Sequence, residues 1–435
     1  LSLILFFSKT MPVLMFDIVL VFLLLIVFKT AVFLILEGLN LRYLTRMNAA
    51  ERALPESVSG IMDDATFARS VDYTRAKSQF STVSALYDAL VLVLILCFGI
   101  IPRLYYLLSG ILGYGLFGQS AVFILTLFIL GLPSLPFNWW NIFKLEEAFG
   151  FNKSSFKLWF SDQVKGLLLS LIIGIPLLMA LMWIVEGMGE FWWLWAFAFF
   201  WAFQVVMMVL YPMFILPLFN KLEPLEAGEL KDRLLALGDR CGFKSKTILV
   251  MDGSKRSGHS NAFFTGFGRF RRIVLYDTLI EQMEIVELEA VLAHEIGHYK
   301  CGHIPKRLFF SACTTFLMFA LIGWLIGAEW IFTSLQFDIE AMGSSLLIPA
   351  FLILSLFGGL FSFWLSPLDS LWSRKHEYEA DAFARNAMRE GDSLKSALRK
   401  LYKENLSNLL PHPLYSAFYY SHPNLVERES ALRER

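Results

Sequence analysis

Charge is scarce in this 435-residue chain. Asp, Glu, Lys and Arg together make up 17% of it, against about 25% in an average soluble domain. The 38 basic and 38 acidic side chains balance to a net charge of zero. No basic tract of the kind that tracks a phosphate backbone is present, which argues against a nucleic-acid partner. Cysteine is rarer still: Cys97, Cys241, Cys301 and Cys313 show neither paired nor CxxC spacing, so no disulfide framework is expected. The apolar start, residues 1–7, lacks a basic n-region and a small-residue cleavage site. It is not expected to be a secretory signal, and residues 1–10 read as a short extension before Met11. No feature calls for an obligate protein partner.

What is abundant is apolar: 56% of residues are hydrophobic, 42 are Phe, and the mean hydropathy is +0.56. Seven stretches reach the roughly 20 residues needed to cross a bilayer core, at about 11–36, 86–108, 121–140, 166–185, 191–218, 308–326 and 346–365. A mainly α, polytopic membrane protein embedded in a lipid bilayer is the expected class. The connections after the first, third and fifth spans and the tail after the seventh are rich in Lys and Arg, whereas those after the fourth and sixth carry neither. This alternation predicts the amino terminus outside and the carboxyl terminus in the cytoplasm. Asp17, Lys29, Asp88, Asn138 and Gln204 lie within or at the ends of spans. Such polar groups are costly in lipid and should face protein or a water-filled interior, which fits an enzyme chamber and a transporter or channel alike.

Chemistry enters at His294-Glu295-Ile296-Gly297-His298. On a helix, i and i+4 imidazoles converge on one point, so both can bind a metal, and the adjacent Glu295 is placed to act as general base on a water beside it. Residues 287–293 before the motif are good helix formers with no Gly or Pro. A catalytic zinc requires a third protein ligand and one open position. Cys301 lies too far along the same helix, about 10 Å from His294 at 1.5 Å per residue. His303 and His376 qualify by type only. Glu377 and Asp381 form a second i, i+4 pair in Ser373-Arg374-Lys375-His376-Glu377-Tyr378-Glu379-Ala380-Asp381. One of these carboxylates would bind the metal, and the other could hold the N–H of a ligand histidine.

KLEEAFGFN from Lys144, GSKRSGHSNAFF from Gly253, the HEIGH segment, SRKHEYEADAFA from Ser373 and Tyr420-Ser421-His422-Pro423 follow one another in this order along the chain. Together with the hydrophobic segments they resemble the Ste24 family of integral-membrane zinc metalloproteases, the type I CAAX prenyl proteases. The resemblance covers most of the chain. It implies one Zn2+ held by His294, His298 and Glu377, Glu295 as catalytic base, Asp381 as the carboxylate behind a ligand, and His422 as a donor to the developing oxyanion. It further implies endoproteolysis of membrane-associated peptide or protein substrates, prenylated or not, inside a large chamber.

The longest extramembrane stretch, about 220–287, shows a helical pattern near 228–238. Two strand-like runs follow at 247–251 and 272–276, with a third at 261–267. A small sheet is therefore expected beside the HExxH helix. The resemblance favours Asn261, Ala262, Phe263 and Phe264 as an edge strand that holds substrate through its main chain. Arg428 reads equally as a partner for a substrate carboxylate or for Glu427 or another acid. The chain divides into 1–219 with five membrane helices, 220–305 with the sheet and HExxH helix in the cytoplasm, 306–372 with helices six and seven, and a cytoplasmic helical segment 373–435. The alternative to a protease is a non-proteolytic transporter or channel with a structural zinc site. Glu295 speaks against it, since a structural site needs no water-activating base and usually takes four protein ligands.

Overall fold

The computed structural model describes residues 18–49, 60–243, 247–265, 272–342 and 346–434. Asp17, Arg52, residues 1–10 and the end of the 261–267 run lie outside the described residues. Among the described residues seven helices are long and apolar enough to cross a membrane. They begin with α1 (Ile18–Ala49) and α2 (Asp64–Cys97), which is followed by the short α3 (Ile100–Leu112). Next come α4 (Leu116–Gly131), prolonged through a π-helical turn to Glu146, then α5 (Phe156–Gly187) and α6 (Trp192–Leu210), prolonged to Phe219. Leu24, Ile111, Ile172, Phe309 and Leu368 stand exposed on these and later helices. Apolar side chains are left uncovered by protein in this way where lipid is the solvent.

The second span differs from expectation. No single helix covers 86–108: α2 ends at Cys97, the chain turns at Phe98–Gly99, and α3 starts at Ile100. At its other end α2 reaches back to Asp64, where Asp63 caps the first turn by accepting from Thr66 N at 2.9 Å. Arg69, Arg75 and Lys77 therefore lie on a helix rather than in a loop. That half of α2 is too polar for a hydropathy reading, and it is packing that decides it. Phe67 and Val71 are buried against the core formed by the sheet and the HExxH helix, and Tyr73 against Leu145 and Phe151.

A four-stranded sheet follows the fifth span, built from β1 (Leu222–Pro224), β2 (Ile248–Met251), β3 (Ala262–Thr265) and β4 (Arg272–Tyr276), with α7 (Glu229–Arg240) between the first two. The spatial order is β1-β2-β4-β3, with β2 and β4 parallel and the outer pairs antiparallel. β3 is thus an edge strand, registered Ala262 on Leu275 and Phe264 on Ile273. The sheet packs on α8 (Ile285–Lys300), whose start is fixed by a reciprocal cap: Glu284 N donates to Glu287 Oε2 at 2.8 Å. Glu287 also accepts from Ser396 and Lys400 on α11 (Asp392–Glu404).

The remaining spans are α9 (His303–Ile326) and α10 (Leu347–Met388). α10 runs unbroken for 42 residues, so the last membrane crossing and the EYEAD segment are one helix, and position 372 falls inside it. Its first half joins the membrane core with Phe357 and Leu360, and its second half joins the core of the sheet and the HExxH helix with Ala384. α12 (Pro413–Tyr419) and α13 (Leu425–Glu434) close the chain. Arg374 of α10 donates to the carbonyls of Ser416 at 3.0 Å and Tyr420 at 2.8 Å, holding the tail against α10. The polar groups of the spans find protein partners in two clear cases. Asn138 accepts from Trp159 at 2.7 Å, and Gln204 stands 3.4 Å from Ser311 and Thr315.

Candidate metal centre and active-site cavity

α8 and α10 approach so closely that a Cβ on Gly297 would lie 2.9 Å from Ala380 Cα and O. Only glycine permits this contact without displacement, and the contact aligns the two i, i+4 pairs. His294 Nε2 and His298 Nε2 stand 3.2 Å apart. Glu377 reaches both, with Oε2 3.4 Å from His294 Nε2 and Oε1 3.3 Å from His298 Nε2. Three ligand atoms on a tetrahedral zinc, at bonds of about 2.0–2.1 Å, are separated by about 3.4 Å, close to this triangle. Two ring nitrogens facing each other at this distance cannot both carry a proton. Among the described residues the buried Glu377 Oε2 has no hydrogen-bond partner. A donor set arranged like this fits a divalent cation.

Behind the triangle, His294 Nδ1 lies 2.8 Å from Asp381 Oδ1. Asp381 is in turn gripped by Arg428, whose Nε donates to Oδ2 at 2.8 Å and Nη2 to Oδ1 at 2.5 Å. Arg428 thus takes an acid as partner, and that acid is Asp381, not its neighbour Glu427. With 7% of its side chain exposed, its guanidinium is committed inside the protein. Burial opposes the charge on Arg428, but Asp381 outweighs it and raises the pKa. Burial likewise opposes the charged form of His294, yet its bonds to Asp381 and Glu377 prevail and lift it to about 10.

Glu295 lines the same cavity and, among the described residues, makes no hydrogen bond or ion pair. Burial pushes its carboxyl up, and the neighbouring His294 and His298 offset part of that. The cavity encloses about 700 Å³ and is bordered by Asn261, Ala262, His294, Glu295, His298 and His422 among others. His422 is exposed to it, with Nε2 3.5 Å from Glu377 Oε1 and Nδ1 2.9 Å from Ser421 Oγ. Burial lowers its pKa, only partly opposed by Glu377. Of the four edge-strand residues, Asn261 and Ala262 border the cavity. Phe263 turns its ring to Tyr276, and Phe264 turns to Phe243 and Tyr299, so both rings pack into the domain.

Two features escaped sequence reasoning. His303 and Glu379 form a chain that ends at His298, with His303 Nδ1 2.9 Å from His298 Nδ1 and Nε2 2.9 Å from Glu379 Oε2. On the cavity's other side the KLEEAFGFN and GSKRSGHSN segments meet. His259 stacks on Phe151 at 4.0 Å and stands 3.3 Å from Glu146 Oε2, which also accepts from Tyr73. Both segments were visible as motifs, but nothing in either indicated that they touch.

Comparison with known proteins bears on the whole chain. Residues 44–221 match the family model described as CAAX prenyl protease N-terminal, five membrane helices, and residues 224–435 match peptidase family M48. CAAX prenyl protease 1 of Saccharomyces cerevisiae is 38% identical over 416 residues, covering 90% of this chain and 91% of that protein. The CAAX prenyl protease 1 homolog of Homo sapiens is 35% identical, covering 87% and 88%. The crystal structure of S. mikatae Ste24p superposes with a TM-score of 0.87 at 33% identity, over 97% of this chain and 100% of that one. Matches of this extent displace the transporter or channel alternative. The chain belongs to the Ste24 family of CAAX prenyl protease 1 homologues, multi-pass membrane metalloendopeptidases of peptidase family M48.

Proposed function

We infer that this chain cleaves membrane-associated proteins near their carboxyl termini, at a single zinc held by His294, His298 and Glu377. When bound, zinc supplies Lewis acidity that polarises a carbonyl and makes a water more acidic. Glu295 takes the proton from that water and passes it to the leaving amine, a role suited to an unpartnered carboxylate raised toward neutrality by burial. Asp381, itself held by Arg428, accepts from His294 Nδ1–H and keeps the other ring nitrogen free for the metal. Ser421 Oγ stands 2.9 Å from His422 Nδ1, and a hydroxyl donating there would leave the ring's proton on Nε2. His422 then serves as a hydrogen-bond donor to the oxyanion. The outer edge of β3, from Ala262 with Asn261 just before it, holds the peptide extended through main-chain bonds.

The names of the relatives favour prenylated CAAX proteins as substrates. The carboxyl-terminal end of α1, with Arg46 in its last turn, lies beside the tail, where His412 N donates to Asn40 Oδ1 at 3.0 Å. Asp338 pairs with Tyr106 of α3, on the far connection of the bundle. By the charge rule the catalytic portion and the carboxyl terminus are cytoplasmic. The observation that carries the reading is the free Glu295 carboxylate beside a three-donor triangle in a shared cavity. The test is hydrolysis of a farnesylated CAAX peptide and its unprenylated counterpart by the purified protein, with and without chelator. The wild type should cleave and Glu295→Gln should keep its metal but not turn over. Equal turnover by Glu295→Gln would refute the assignment.

A further inference from the structure

His303 and Glu379 have no part in the metal triangle, yet they are built toward it. His303 is the fifth residue after His298, which on a continuous helix would point about 140° away from it. The chain instead breaks at Gly302, whose φ of +69° is a left-handed conformation, and restarts as α9. The break returns the His303 ring to the His298 ring, Nδ1 to Nδ1 at 2.9 Å. His303 is buried, 2% exposed, and stacks face to face on His376 with centroids 3.9 Å apart. Its remaining nitrogen meets Glu379 Oε2 at 2.9 Å, and Lys306 Nζ lies 3.9 Å from the same oxygen.

With both rings neutral, one proton arrangement satisfies the contacts from His298 to Glu379. Glu379 can only accept, so His303 carries its proton on Nε2 and is an acceptor at Nδ1. His298 must then carry its proton on Nδ1, which leaves the Nε2 lone pair facing Glu377 and His294. We propose that His303, oriented by Glu379, is a positioning residue that fixes His298 in its metal-binding tautomer, as Asp381 with Arg428 does for His294. This rests on the reading of His294, His298 and Glu377 as the metal ligands. The two ligand histidines are thereby held from opposite sides of α10.

The test is zinc affinity of the full-length protein, by competition with a chelator, read beside the melting temperature of the metal-free form. His303→Phe keeps ring volume and the stack on His376 but cannot accept; it should bind zinc about 10–100-fold more weakly with the metal-free melting temperature little changed. Glu379→Gln retains an oxygen to accept from His303 and should stay near wild type, whereas Glu379→Leu should follow His303→Phe. Zinc stoichiometry in every folded variant should be one per chain when saturated. Cys301, His303 and Glu379 also offer donor atoms within 4.8 Å of one another. A wild-type stoichiometry of two that falls to one in His303→Phe would make His303 a ligand of a separate ion and overturn the proposal. So would wild-type zinc affinity in His303→Phe, or equal affinities in the two Glu379 variants, which keep the test alive if His303→Phe fails to fold. Failure of the ligand reading itself would show separately, as full zinc content in a His294→Ala/His298→Ala protein.

Discussion

Arg428→Met removes one member of a buried ion pair and leaves Asp381, 2% exposed, facing only His294. Methionine matches the length of the arginine stem, so the change is chiefly one of charge. Stranding a buried charge in this way costs about 3–5 kcal/mol. At 1.4 kcal/mol per tenfold change, the closed arrangement weakens by roughly 10²- to 10³-fold or more. The loss should appear at α13, because Arg428 is a charged tie between this helix and α10, reaching Asp381 and, at 3.8 Å, Glu377; Glu429 beside it pairs with Arg399 of α11, and Leu425 and Leu432 are buried in the core. Hydrogen exchange of the α13 amides should therefore accelerate by that factor while the sheet and the membrane helices keep their protection. Adding Asp381→Leu removes the stranded carboxylate, and replacing both partners by apolar groups is often close to neutral. The double variant should recover most of the α13 protection, but with no acceptor behind His294 it should bind zinc about 10–100-fold more weakly. Stability and metal affinity would thus separate. Wild-type exchange in Arg428→Met, or a double variant as unprotected as the single one, would refute the account. A raised KM for peptides with a free carboxyl end, without loss of α13 protection, would return Arg428 to the substrate side.

In the metal-free protein His294 is held protonated up to about pH 10, so zinc must displace a proton at neutral pH. Apparent affinity should rise close to tenfold per pH unit below that value, and calorimetry at pH 7 should give binding heats that track the buffer's ionisation enthalpy; heats independent of buffer would show that no proton leaves. Gly297→Ala forces a methyl group to within 2.9 Å of Ala380 backbone, an overpacking that costs about 1–3 kcal/mol and parts Glu377 from the two histidines. Zinc retained after dialysis should fall; full retention with an unchanged melting temperature would show that the close approach of α8 and α10 is not what sets the triangle.

What the sequence made legible was local. An i, i+4 histidine pair declares itself on any helix, and the runs at 247–251 and 272–276 became β2 and β4 because branched residues in short apolar runs leave few alternatives. The amino-terminal half of α2 was not legible, since its helix is decided by what Phe67 and Val71 pack against. EYEAD shows the limit most clearly. Glu377 and Asp381, four apart, share one face of α10 and could be read as a pair. Glu379 lies two residues on from Glu377, about 200° around the helix, where a linear reading sees a solvated acid. It faces α9 instead, and α9 is there only because Gly302 turns the chain back at the end of α8. The assignment of Glu379 therefore depends on a left-handed glycine 77 positions earlier. Helical spacing within either segment carries no trace of that dependence. The flank of α10 that binds the metal was readable, whereas the flank that orients a ligand became visible only once three helices were placed together.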